Sequence, residues 1–299
     1  MLTQKPMSAS TRKECPSEPD NGRKLFSVIY RAYQENRLKL PAVPQTAFEI
    51  KELIRLGASI RDVANVAQRD AGTAARLIKV ANSPLYRGVA KVGSLTDAIG
   101  RIGLNATQNI AYVLSIQSLF SAKSIVIEEL MSYAYARSCE LAASCFILAQ
   151  DVKGLEPDRA LLAGLVSQVG LLPIYYYADQ HADWVTNELS LNSSVKKLRG
   201  IVGTMVLKQW DFDEELVAIP ENSEYWGRQS SSEVMDYCDL VILSNLINQL
   251  RHQHVGLDEI EPLPIVQRIL KDPQGQALYE AVSSGALLPQ IDEAALMLT

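Results

Sequence analysis

Histidine is scarce in this chain, with His181, His252 and His254 the three present among 299 residues. A hydrolytic metal centre gathers imidazoles and carboxylates, because these are the donors that divalent cations hold in a catalytic geometry. His252 and His254 form a His-x-His pair near the end of the last long apolar-periodic segment. On a helix that spacing points two rings apart, and only extended backbone lets both reach one ion. The pair is read as side chains at a helix end, with all three histidines away from any expected cluster and no metal held. Cysteine is equally thin. Cys15, Cys139, Cys145 and Cys238 show neither the close pairs of a zinc site nor the density of a disulfide framework, so they read as reduced thiols, three of them buried.

Excess positive charge is also missing. Twenty-nine Lys and Arg stand against thirty-four Asp and Glu, for a net charge of −5, which argues against a general nucleic-acid binder. The short basic run Lys196, Lys197 and Arg199 reads as a solvated helix face. No G-x-G-x-x-G, G-x-x-x-x-G-K or G-x-S-x-G pattern occurs, so neither a phosphate-cradling loop nor a serine nucleophile elbow is expected. Lys5, Arg12 and Lys13 precede no apolar run, so no secretory signal is expected. Residues 161–178 carry no charge and are long enough to consider as a membrane span, but Ser167, Gln168, Pro173 and two glycines interrupt them. They read as a buried core helix ending near Pro173. The expected location is the cytoplasm, with no membrane contact.

What is present is helical periodicity over nearly the whole chain, and no convincing alternating strand or repeat. Residues 1–22 are rich in Ser, Pro, Lys and Glu and are expected to form a disordered arm. From Arg23 the pattern turns amphipathic, with Leu25, Phe26, Ile29, Tyr30 and Tyr33 on one face; two prolines within 40–44 then break it. Ala47, Ile50 and Ile54 open a helix that Gly57 can close. Ser59 with Asp62 and Ser94 with Asp97 set a capping hydroxyl three residues before a carboxylate, and Asp70 can cap the helix between them. Asp213, Glu214 and Glu215 after Trp210 read the same way, as helix-start acids rather than catalytic ones. The expectation is an all-α fold of more than ten helices joined by short loops.

The order of the motifs is specific. LPAVPQTAFEIKELI at 40–54, QRDAGTAARLIKVANSPLY at 68–86 and VGSLTDAIGRIGLNATQNI at 92–110 are followed by AGLVSQVGLL around Ser167, VGTMVLKQWDFDEEL at 202–216 and CDLVILSNLI at 238–247. This series resembles the HDOD family, the HD-related output domains of bacterial signalling proteins. The family usually has Asp-Pro where this chain has Asp70-Ala71, a departure of little consequence in a first helical turn. The resemblance implies a multi-helix HD-domain-like bundle with an N-terminal helical subdomain. It would span 23–255, followed by a C-terminal helical extension at 256–299.

AGLVSQVGLL also resembles the metal-binding turn of HD-type phosphohydrolases, in which a His-Asp pair occupies the places of Ser167 and Gln168. Carried over position by position, the early His of those enzymes falls at Arg137 and the final Asp at Asn245, although a gapped alignment could choose Asp239. A guanidinium, a hydroxyl and two amides do not make a cation site, so the resemblance implies a non-catalytic regulator that uses no cofactor. Such a protein would act by binding another signalling protein. Since neither 1–22 nor 250–299 carries a receiver or cyclic-dinucleotide pattern, the input is expected to come from another chain. The other reading is a divergent HD-type phosphohydrolase, or a nucleotide-binding regulator that uses the altered pocket. Arg137, Ser167, Gln168 and Asn245 either satisfy one another as a buried polar network, or Arg137 retains a phosphate-bearing small molecule. Candidate contact surfaces for a partner are the loop 82–91, with Asn82, Ser83, Pro84 and Tyr86, and the segment 221–228, with Tyr225 and Trp226.

Overall fold

The computed structural model describes residues 27–28, 30–31, 34–35, 45–86, 88, 90–117, 119–180, 188–229, 234–271 and 273–298, without the side chains of 188–194 and 197. The arm expected at 1–22, the prolines of 40–44, Cys15 and His181 lie outside these residues. Of the five residues expected to form the first amphipathic face, only Tyr30 is described, and it is exposed. The described residues are helical and contain no strand.

Four short helices make the N-terminal subdomain: α1 (Gln45–Arg55), α2 (Ile60–Ala67), α3 (Ala71–Ala81) and α4 (Leu95–Ile102). Their ends lie where the capping residues put them. Gly57 turns the chain after α1 at φ 75°, a conformation that strains any side chain with a Cβ. Ser59 and Asp62 close a reciprocal capping box on α2, Asp70 accepts from the Gly72 and Thr73 amides, and Ser94 accepts from the Asp97 amide. Each helix buries one apolar face, with Ile50, Val63, Leu77 and Ile99 fully enclosed. The subdomain packs through α1 and α3 on α5 (Leu104–Gln117), which in turn lies against the main body.

The body is organised around α6 (Ile125–Ala149), whose second half is buried on every side. Its most extensive neighbour is α7 (Pro157–Val166), and α8 (Leu171–Asp179) follows after a four-residue turn. This corrects the single helix expected to end near Pro173. The helix stops at Val166 with Ser167 as its cap, and Pro173 sits in the first turn of α8, where a missing backbone N–H costs nothing. The stretch Pro157–Asp179 is long and apolar enough to cross a membrane, but 89% of its most apolar window is buried inside the protein. Three further helices, α9 (Glu188–Gln209), α10 (Glu214–Val217) and α11 (Ile219–Asn222), lead to α12 (Tyr237–Arg251), which packs on α6 and α7. Asp213 caps α10 by accepting from the Leu216 amide, while Arg159 binds both Asp213 and Glu215. Cys139, Cys145 and Cys238 are free and buried, and burial pushes their thiols up, Cys145 to about 12.

Beyond residue 256 come α13 (Leu257–Ile260), α14 (Pro264–Ile269), α15 (Pro273–Ser283) and α16 (Leu288–Leu298). They pack on the body rather than standing away from it. The final helix lies along α6, where the Tyr135 hydroxyl donates to the Leu298 carbonyl at 2.8 Å and Arg251 pairs with Asp292 at 2.5 Å. Asp239, fully enclosed at the start of α12, is held by Arg228 at 2.6 Å and by Arg268 of α14 at 2.5 Å.

The contact between α6 and α7 is made by backbone. A Cβ added at Gly164 would stand 2.6 Å from the Ala142 Cα and 2.7 Å from its amide nitrogen, and neither atom can move without moving α6. Replacing a mid-helix glycine by alanine ordinarily stabilises, by roughly 0.5–1 kcal/mol. Here overpacking reverses the sign, and Gly164→Ala is expected to cost about 1–3 kcal/mol in urea unfolding, with the m-value unchanged. A variant as stable as the parent, or more so, would remove the close approach of the two helices.

Candidate functional site

A cavity of about 630 Å3, open to solvent, lies between α6, α8, α9 and α12. Helix α6 contributes Tyr133, Ala134 and Arg137, and the turn before α8 contributes Gln168, with Leu171 and Tyr175 following. From α9 come Val195, Lys196 and Arg199, and from α12 come Asn245, Asn248 and Gln249. Glu224, Trp226, His252 and His254 complete the wall.

Arg137 donates to the Asn248 side-chain oxygen and, from Nη2, to Asn245 Oδ1 at 3.2 Å. The amide of Asn245 donates onward to the Ser223 carbonyl at 3.3 Å, and that of Asn248 to Glu140 at 2.9 Å. Arg137 is thus fixed by neutral oxygens. Burial pushes its guanidinium below the usual value; Tyr133 and Glu140 oppose this, and the neighbouring Arg199 adds to it. Arg199 donates to Gln168 Oε1 at 3.4 Å and pairs with the Glu224 carboxylate. Its Nε is buried and has no hydrogen-bond partner among the described residues.

The four positions singled out from the sequence are therefore not one closed network. Arg137 and Asn245 do meet. Gln168 serves Arg199 instead, and Ser167, buried on the other side of the turn, donates its hydroxyl to the Gly164 carbonyl at 2.7 Å and does not line the cavity. A serine at a helix end satisfies itself on its own last turn more readily than it reaches across a cavity. Asn245 lines the cavity, whereas Asp239 lies outside it and pairs with Arg228 and Arg268.

Two further expectations are corrected. The basic run on α9 is not simply a solvated face, since Lys196 and Arg199 line the cavity and Arg199 is half-buried. Its spacing held the signal, because Val195, Arg199 and Val202 fall at i, i+4 and i+7 on an inward stripe whose valines are buried. The histidine pair is not remote from the site either. Helix α12 stops at Arg251, Gln253 turns the backbone at φ 56°, and the His252 and His254 rings come to 5.9 Å between centroids on the cavity wall. The helical spacing rule fails because the helix has already ended.

The loop after α3 is more tightly built than a contact surface requires. Asn82 bridges to both backbone groups of Val92 at 2.9 Å, Ser83 is buried, and Tyr86 is half-buried, with its ring 5.9 Å from that of Phe146 and its hydroxyl on Asp158. Only Pro84 of the four is exposed. In the other segment Trp226 is half-buried against the cavity, while Tyr225 is 64% exposed.

Residues 40–224 match the family of the HDOD domain. Among solved structures the chain is similar to a candidate metal-dependent phosphohydrolase from Shewanella amazonensis SB2B, with 26% identity and a TM-score of 0.78, covering 94% of this chain and 100% of that one. An HDOD domain protein of unknown function from Geobacter sulfurreducens shares 20% identity at a TM-score of 0.69, over 93% of this chain and 97% of that one. A candidate signal transduction protein from Marinobacter aquaeolei VT8 gives 20% and 0.59, over 93% and 66%. At 20% identity the last two speak for the fold alone. No curated protein matches the chain.

The Tyr86–Asp158 bond joins the N-terminal subdomain to α7, and burial pushes the Asp158 carboxyl up to about 6. An unfolded aspartate titrates near 3.9, so the folded protein binds the extra proton and loses stability as pH rises through the window from about 4 to 6. Asp158→Asn is therefore expected to gain on the parent across that window. Urea midpoints of the two proteins should differ little below pH 4 and by a constant, favourable amount above pH 6; a difference independent of pH would contradict the assignment.

Proposed function

The chain belongs to the HDOD domain family, and on that premise we propose that it is a non-catalytic regulator that works by binding another signalling protein. The observation that carries this reading is the fate of the turn between α7 and α8. Ser167 and Gln168 stand where a hydrolase of this fold would present a metal-binding pair, and both are committed elsewhere, to the Gly164 carbonyl and to Arg199. Across the cavity, Arg137 and Arg199 present two permanent cations, which oppose the entry of a divalent cation. Among the described residues no group of three or more His, Cys, Asp or Glu could hold a metal ion.

With catalysis set aside, the helical surface is what the protein offers a partner. Tyr225 suits such a contact, as an exposed aromatic on a short segment braced by the pairing of Arg228 with Asp236 at 2.6 Å.

Two measurements test the reading. Protein purified after exposure to Mn2+, Fe2+, Ni2+ or Zn2+ is expected to retain far less than one ion per chain and to leave an activated phosphodiester intact; one bound ion per chain with metal-dependent turnover would make the protein an enzyme. Cross-linking in its own cells is expected to trap a signalling protein, with a yield that falls several-fold in Tyr225→Ala. An unchanged yield would move the contact away from this segment.

A further inference from the structure

We propose that the cavity between α6, α8, α9 and α12 binds the phosphoryl group of a small organic anion, gripped between Arg137 and Arg199. The inference is independent of whether the protein recruits a partner, and charge is its first support. Arg137, Lys196 and Arg199 line the cavity against one lining carboxylate, Glu224, in a chain whose net charge is −5. A local excess of cations inside an acidic protein focuses an attractive field on anions.

The bonding pattern is the second support. Glu224 pairs directly with Arg199 and reaches Arg137 only through space, as Glu140 does, while the acceptors bonded to Arg137 are two neutral amides. The Nε of Arg199 is buried with no acceptor among the described residues, a state that costs free energy until an oxygen arrives. Two guanidiniums drawn into one cavity repel each other, and a doubly charged ligand between them turns that repulsion into attraction. A phosphoryl group has the charge and the three oxygens to accept from two planar forks at once, whereas a carboxylate is filled by one.

Volume and wall chemistry extend the inference from phosphate to an organic phosphate. About 630 Å3 is far more than one anion fills and lies within the range of small-molecule sites, roughly 300–1,000 Å3. Beside the cations, Tyr175 and Trp226 supply flat apolar surface against which a ring can lie.

Calorimetric titration of the full chain at fixed ionic strength, with inorganic phosphate and with adenosine 5′-monophosphate as separate probes, tests the proposal. Saturable binding is expected, weakened about tenfold or more in Arg137→Met and in Arg199→Met, and unchanged in Arg69→Met, whose guanidinium pairs with Glu49 in the N-terminal subdomain. Tighter binding of the nucleotide than of phosphate supports a ring seated beside Tyr175 and Trp226, and equal binding supports recognition of the phosphoryl group alone. Should a buried-cation variant fail to fold, Lys196→Glu decides, since Lys196 is exposed; its affinity falls several-fold if the site is real. No saturation with either probe, or full affinity in the variants that fold, overturns the proposal.

Discussion

Two glycines that flank one turn hold the architecture of the body. At Gly164 the backbone of α7 lies on that of α6, and at Gly170 the space a Cβ would need is filled by the carbonyl of Arg199 on α9. Close packing of this kind leaves no room for relaxation, so each contact sets a helix position to within a fraction of an ångström. The consequence reaches the cavity directly. Arg199 is the residue whose main chain rests on Gly170, and Ala142, which meets Gly164, lies on the same helix as Arg137. The turn therefore places both guanidiniums although neither Ser167 nor Gln168 binds a metal in this account.

The second constraint is ionic and sits at the opposite end of α12. Asp239 is buried, and an isolated carboxylate there would be costly. Arg228 approaches it from the segment after α11 and Arg268 from the C-terminal extension, so both segments pair with the one carboxylate. Together with Arg251–Asp292 and the Tyr135–Leu298 bond, this couples residues beyond 256 to the folding of the body. The same pairing takes Asp239 out of the cavity, which leaves Asn245 and Asn248 to represent that helix beside Arg137.

Local rules in the sequence were sufficient for much of the fold. The caps at Ser59, Asp70, Ser94 and Asp213, the stops at Gly57 and Gly103 and the buried thiols all follow from short-range chemistry, and all stand in the structure. Where the reading missed, the deciding contact came from far along the chain or from a helix ending early. Ser167 ends α7, so a run of apolar residues that looks continuous is two helices. Gln253 reverses the backbone just after α12, so two histidines that a helix would separate share one wall. Arg199 looked solvated because its neighbours are lysines, yet its place on the stripe of Val195 and Val202 turns it inward.

The account rests on a reversal of sign, in which a cavity on a hydrolase-like scaffold is lined for anions rather than cations. Crystals soaked together with manganese and arsenate, with anomalous maps recorded for each element, test this directly. The account predicts an arsenic peak between Arg137 and Arg199 and no manganese peak beside Ser167, Gln168 or Asn245. A manganese ion seated among those residues with protein donors around it, and no arsenic, would contradict it.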